Sequence, residues 1–270
     1  MRFFDGAAVD AALAYPGLVD VLQAAFKQGA IAPLRHHHAI ALAGRPEATL
    51  LLMPAWEAEA SGSPFAGRHL GVKTVTVFPD NAARAKPAVF GTYLLLSAET
   101  GETLAVMDAT RLTAWRTGAA SALASRYLSR TDAARLLMVG AGALAPHLVA
   151  AHASVRPIRE VALWNRSPER ARVLADTLAA RGLDVSIAGD LEAAVRRADI
   201  VSAATISAEP LQPERKGPSW RCVHAGVHHP PEDLLGPIDI QDSHWESVVI
   251  HCASDQLIRS AAHGEAVRAQ

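Results

Sequence analysis

Cysteine is almost missing from this 270-residue chain. Cys222 and Cys252 are the only two, they form no metal or redox spacing, and two apolar-flanked thiols read most simply as reduced core residues of a cytoplasmic protein. Charge of one sign is also lacking. The formal net charge is −1 and no polybasic run occurs, which argues against a nucleic-acid or anionic-membrane partner and leaves a small molecule as the expected substrate. No apolar stretch approaches the ~18 residues of a membrane span. Met1-Arg2-Phe3-Phe4-Asp5 meets an acidic residue at once, so no signal peptide is expected. Histidine is plentiful, at twelve, yet no H-E-x-x-H or paired Cys/His spacing would close a coordination sphere, and no metal is expected. Adjacent residues of a strand point to opposite faces, so His36-His37-His38 reads as a partly exposed strand.

Half of the residues are hydrophobic, enough for one or two sizeable cores. The most informative run is Leu136-Leu137-Met138-Val139-Gly140-Ala141-Gly142-Ala143-Leu144-Ala145, a strand opening through Gly-x-Gly-x-x-Ala into an alanine-rich helix. The first glycine permits the turn, the second lets backbone approach a pyrophosphate, and the small third residue lets helix and strand pack closely. Val161-Ala162-Leu163-Trp164 then ends in a polar turn roughly 20 residues on, where the ribose of a dinucleotide belongs. That turn, Asn165-Arg166-Ser167, lacks the acidic residue of an NAD-selective site. Arg166 can meet a 2′-phosphate, with Asn165 and Ser167 donating hydrogen bonds, so NADP(H) is expected in preference to NAD(H).

Alternation over 135–139, 144–154, 160–164, 168–181, 184–187, 190–197, 199–204, 221–225 and 247–251 predicts an α/β unit of parallel strands with helices on both faces. Upstream, a helix over 9–29 precedes strand-like runs at 39–43, 48–53, 70–78, 91–97 and 104–107, which read as an antiparallel module. A helix over 113–128 connects the two, placing the domains at 1–120 and 121–270.

Three basic residues of the first module stand in apolar surroundings: Arg35, Lys73 and Arg116. A cation in a half-buried strand is costly unless paired. A substrate carboxylate, gripped by arginine and oriented by lysine, would supply the counter-ion; an ion pair with Glu47 or Glu57 is the structural alternative. Arg116 is expected to start the connecting helix.

Met53-Pro54-Ala55, Gly71-Val72-Lys73, Pro79-Asp80-Asn81, Thr100-Gly101, Leu112-Thr113-Ala114-x-Arg116-Thr117-x-Ala119-Ala120, the Gly140 turn, Ala204-Thr205-x-Ser207 and Gly264-Glu265 together resemble the ornithine cyclodeaminase/mu-crystallin family in order and spacing. The resemblance implies a Rossmann domain joined to an α+β substrate and dimerisation module, and a homodimer. It also implies carboxylate binding by Arg35, Lys73 and Arg116, the last with Lys73 as the catalytic pair. Cofactor contacts fall on Thr117, Gly140, Gly142, Ala143, Leu144, Asn165, Arg166, Ser167 and Thr205.

Cyclodeaminases of the family carry a Glu two residues before the Met-Pro pair and an Asp in the late glycine loop; this chain has Leu51 and His228 there. Without those carboxylates a deaminating cyclisation loses its acid–base groups. Reducing a cyclic ketimine demands less: hold the carboxylate, place C2, exclude water. The residues around 143–157 also resemble bacterial Δ1-pyrroline-2-carboxylate reductases, and the Asn-Arg-Ser turn the NADPH-using branch. The expected activity is therefore NADPH-dependent reduction of Δ1-pyrroline-2-carboxylate, and of the piperideine homologue, to proline or pipecolate. An alanine-dehydrogenase-like enzyme, an ornithine cyclodeaminase and a non-catalytic NADPH- and small-ligand-binding paralogue are the alternatives. The family's C-terminal return segment has no counterpart after Gly264-Glu265, an expectation that keeps the last of these open.

Overall fold

The computed structural model describes residues 1–57 and 68–205, and the strands at 220–224 and 247–251. It divides into two compact units, Met1–Arg116 and Thr117–Gln270.

The first unit is built on a seven-stranded sheet, β1(Arg2–Phe4), β2(Ala30–Ile31), β3(His36–Ile40), β4(Ala48–Glu57), β5(His69–Val77), β6(Val89–Ser97) and β7(Thr103–Asp108). Its order is β1-β7-β6-β5-β4-β2, with β3 also paired to β4. The expected antiparallel pairing holds except at the edge, where β1 runs parallel to β7 with Phe3 opposite Val106. The helix expected over 9–29 is two helices, α1(Gly6–Ala12) and α2(Tyr15–Gln28), bent by 85°. Pro16 explains the break. It has no N–H to donate back into α1, but in the first turn of α2 none is needed. Asp5 starts α1 by accepting from the Ala8 N–H at 2.8 Å.

The helix expected to begin near Thr113 begins four residues earlier. In α3(Ala109–Leu128) Asp108 caps the N-terminus by accepting from Arg111 N–H at 2.9 Å. Arg116 therefore sits two turns into the helix rather than at its start.

The second unit carries β8(Arg135–Val139), α4(Ala145–Val155), β9(Glu160–Trp164), α5(Pro168–Ala179), β10(Asp184–Ile187), α6(Leu191–Arg197), β11(Ile200–Ala203), β12(Trp220–His224) and β13(Ser247–His251). The six strands are all parallel, in the order β10-β9-β8-β11-β13-β12. This is the doubly wound α/β arrangement, with its order reversing between β8 and β11. Residues alternate between the two faces. Leu136, Met138, Val161 and Leu163 pack with Leu148, Val149, Leu174 and Leu178 of α4 and α5 on one side. On the other, Leu137, Val139 and Val201 meet Leu191, Ala194 and Val195. At the opposite end from the glycine turn, buried Asp199 accepts from the N–H groups of Ala134 and Arg135 and from the Arg130 and Arg135 guanidiniums at 2.9–3.0 Å. Burial pushes the Asp199 pKa up, but these donors outweigh it and bring it down to about 2.

Candidate functional site

Two sets of residues carry the chemistry, one in each unit. In the first unit the sheet fixes a row of side chains on one face: Met53 of β4 opposite Lys73 of β5, and Lys73 opposite Tyr93 of β6. Lys73 is central in the sheet and half-buried. Burial, together with the nearby charges of Arg116 and Arg35, lowers its pKa from 10.5 to about 8. Burial also lowers the pKa of Arg35. The three cations singled out in the sequence are thus brought together from a strand, the segment before β3 and a helix.

For Lys73 and Arg35 the alternative explanation, an ion pair with Glu57 or Glu47, is not realised among the described residues. Glu57 accepts from the Arg68 N–H at 3.1 Å and lies 3.2 Å from His69 Nδ1. Glu47 is exposed. Among the described residues neither Lys73 nor Arg35 has a carboxylate partner.

Arg116 is held by its helix. The neighbouring Trp115 donates from Nε1 to Asp10 at 2.8 Å and its ring centroid lies 4.4 Å from that of Tyr15; Arg111 reaches the same Asp10 at 3.0 Å. These contacts fix the rotation of α3 against α1 and α2. Asp80 and Asn81, by contrast, are structural: Asp80 takes hydrogen bonds from Arg45 at 2.7 and 2.9 Å and from Arg84 at 2.9 Å, while Asn81 donates to the Pro87 carbonyl. Leu51, standing where cyclodeaminases have a carboxylate, is buried in the sheet.

In the second unit Gly140 adopts φ +106°, and a Cβ there would fall 2.3 Å from the Ala204 carbonyl oxygen and 3.2 Å from Thr205 Cγ2. Only glycine fits between the ends of β8 and β11. At Gly142 the reverse holds: a Cβ would meet nothing within 4 Å, so the backbone is open to a ligand. Helix α4 has no side-chain cap, and the N–H groups of Gly142, Ala143 and Leu144 have no partner among the described residues. Orphaned donors at a helix N-terminus beside an open glycine fit a pyrophosphate.

Asn165, read as a phosphate donor, ties the turn together: its Oδ1 accepts from Ala141 N–H at 3.1 Å and its Nδ2 donates to the Ser167 carbonyl at 2.9 Å. Arg166 and Ser167 are exposed beside it. Thr117 is buried with its Oγ1 unpartnered, and Thr205 lies against Gly140. His228 and His229, Ser207 and the Gly264-Glu265 pair lie outside the described residues.

Two further residues belong to the face that carries Lys73. Tyr93 lays its phenol directly over Gly71, leaving no room there for a side chain. His37 is the inward member of the histidine triplet, with its Nε2 buried and unpartnered.

The family model for the ornithine cyclodeaminase/mu-crystallin family matches residues 6–228. The chain belongs to that family. It is 42% identical over 184 residues to Protein SAR DEFICIENT 4 of Arabidopsis thaliana, covering 66% of this chain and 54% of that one. It is 34% identical over 219 residues to the Delta(1)-pyrroline-2-carboxylate reductase of Colwellia psychrerythraea, covering 78% and 65%. The structure of Thermococcus litoralis Delta(1)-pyrroline-2-carboxylate reductase in complex with NADH and L-proline aligns with TM-score 0.66 at 27% identity, over 76% of this chain and 62% of that one. The match thus spans about half to two thirds of the length of these relatives.

Proposed function

We propose that this protein reduces cyclic ketimine carboxylates, Δ1-pyrroline-2-carboxylate first among them and the six-membered homologue second, with NADPH as reductant. The observation that carries the reading is the set of three cations, Lys73, Arg35 and Arg116, converging in one half-buried place where Lys73 and Arg35 have no carboxylate partner among the described residues. Such a place is complementary to a small carboxylate. The similarity to reductases of this imine, one of them holding NADH and L-proline, supports the same substrate class.

A bound nicotinamide dinucleotide supplies a hydride for C2. The chain's own residues do the rest. Gly140 lets the chain turn between β8 and β11, Gly142 leaves room for the pyrophosphate, and the N–H groups of Gly142, Ala143 and Leu144 would hold it. Arg166 selects the 2′-phosphate of NADPH, with Ser167 beside it. Arg116 and Arg35 grip the substrate carboxylate. Lys73 adds the third positive charge and orients the carboxylate on the face of β5. The site includes no acid–base carboxylate at Leu51, which favours imine reduction over cyclodeamination. A homodimer working in the cytoplasm is part of the same proposal.

The test follows nicotinamide absorbance with purified protein. NADPH oxidation on adding Δ1-pyrroline-2-carboxylate alone supports the reading. Oxidation only with pyruvate plus ammonium would replace it with an alanine-dehydrogenase reaction, and turnover of ornithine with NAD by a cyclodeaminase one. NADPH binding without turnover of any of these would leave a binding protein.

A further inference from the structure

His37 lies on β3 directly opposite Leu51, which is opposite Val75, which is opposite Gly91. Paired residues of neighbouring strands share a face, so His37 is on the face that carries Lys73. Its neighbours His36 and His38 point the other way; both are exposed, their ring centroids 6.4 Å apart. His37 Nε2 is buried and has no hydrogen-bond partner among the described residues. Its own row offers none, because Leu51, Val75 and Gly91 have no polar side-chain atom. A buried imidazole nitrogen left unsatisfied is costly, and in a binding site it marks where a ligand atom goes.

Lys73 stands in the next row, two strands away. That is about 10 Å across the sheet and about 7 Å along it between backbone positions. Both side chains stand on the same face of the sheet, and backbone positions that far apart leave room between them for a small ring with one carboxylate. Arg35, two residues before His37, belongs to the same cation set.

We infer that His37 Nε2 is the hydrogen-bond partner of the substrate's ring nitrogen, and so the residue that selects a cyclic imino acid among small carboxylates. The inference rests on the ketimine-reductase reading above. With its proton on Nδ1, His37 presents Nε2 as an acceptor for the N–H of the protonated imine. As a hydride from the reduced nicotinamide adds to C2, the π pair of the C2–N bond moves to nitrogen. The ring nitrogen becomes a secondary amine that keeps its one N–H, the nicotinamide is oxidised, and no proton leaves the site. The carboxylate is held by cations and the iminium by a neutral acceptor, so the two ends of the substrate are read by opposite chemistries.

The test compares two ligands with NADPH in excess: L-proline, which has a ring N–H, and tetrahydrofuran-2-carboxylate, in which oxygen replaces it. Calorimetric titration of the wild type should show proline bound more tightly. His37→Leu should weaken proline by about ten- to hundredfold, the loss of a hydrogen bond to a charged group, while leaving tetrahydrofuran-2-carboxylate unchanged. His37→Gln, which keeps an acceptor, should recover part of the proline affinity and shows that the site is still folded. Arg116→Met should weaken both ligands. If Arg116→Met weakens both while His37→Leu weakens both alike, or neither, the assignment of His37 is overturned and the carboxylate reading stands. If the wild type binds neither ligand, or Arg116→Met changes neither affinity, the carboxylate reading falls and the role of His37 falls with it.

Discussion

A lysine with a pKa near 8 makes carboxylate binding sensitive to pH in a window where an ordinary lysine is silent. Lys73 has that pKa because it is buried and because Arg116 and Arg35 stand near it. If the ammonium form is the one that binds the anion, apparent affinity scales with the protonated fraction. That fraction is about nine-tenths at pH 7 and about one-tenth at pH 9, so binding weakens by up to about tenfold between them. With the ordinary value of 10.5 the same interval would be nearly flat. The assay is the inhibition constant of tetrahydrofuran-2-carboxylate against imine reduction, since this inhibitor has no titrating group above its low carboxylate pKa. Removing one of the two like charges, as in Arg35→Met, should lower affinity at pH 7 and move the inflection to higher pH. A flat profile from pH 7 to 9.5, or an inflection that stays in place in Arg35→Met, would refute the electrostatic account of the site.

The glycine turn gives a paired prediction. Gly142→Ala should leave thermal stability unchanged, because its Cβ enters open space, yet weaken NADPH at least tenfold by crowding the pyrophosphate. Gly140→Ala should lower both stability and NADPH affinity, because its Cβ would strike the Ala204 carbonyl and its φ is positive. Arg166→Gln should reduce affinity for NADPH about tenfold or more and spare NADH, as read by fluorescence titration of the two cofactors. His152, fully buried on α4 with its Nδ1 2.9 Å from Ser125 Oγ, has its pKa lowered by burial from 6.5 to about 4. Its unfolded form binds the proton first, so stability is complete above pH 6.5 and falls as the pH drops toward 4, by about 2 kcal/mol at pH 5. Urea denaturation at pH 7 and pH 5 measures this, and His152→Leu should lose less over the same interval.

The second unit was legible almost residue by residue. The strands expected at 135–139, 160–164, 184–187 and 247–251 are there with those bounds; β8, at 135–139, shows why, as a short buried apolar run closed by its own glycine turn. The first unit was less so, since its edges depend on distant partners. Arg2–Phe4 is three residues long and becomes a strand only by pairing with β7, about a hundred positions later. The apolar spacing over 9–29 continues across Pro16, while the backbone of a single helix cannot. The three cations could be named from their apolar surroundings; that they share one place, with Glu57 turned to His69, is tertiary information. His37 did leave a signal, for a histidine triplet on a strand must send its middle member to the face opposite the other two. What the sequence could not say is which face that is.

The cation set also explains why the first unit must be held so firmly. Lys73 lies between β4 and β6, and α3 is locked by the bonds of Asp10 to Trp115 and Arg111. The charges of Arg116 and Arg35, added to burial, therefore bear on Lys73 in the free protein. Because the folded pKa of Lys73 is depressed from 10.5 to about 8, the unfolded chain binds more protons between those values. Stability therefore rises with pH across that window, and below it the charged lysine costs up to about 3 kcal/mol. A bound carboxylate offsets that cost, which is how pre-organised charge becomes affinity. Lys73→Met should accordingly raise the melting temperature of the free protein at pH 7 and reduce the further rise that tetrahydrofuran-2-carboxylate induces. A variant less stable than wild type, or one still stabilised to the same degree by the ligand, would show that Lys73 is held by something other than the anion it awaits.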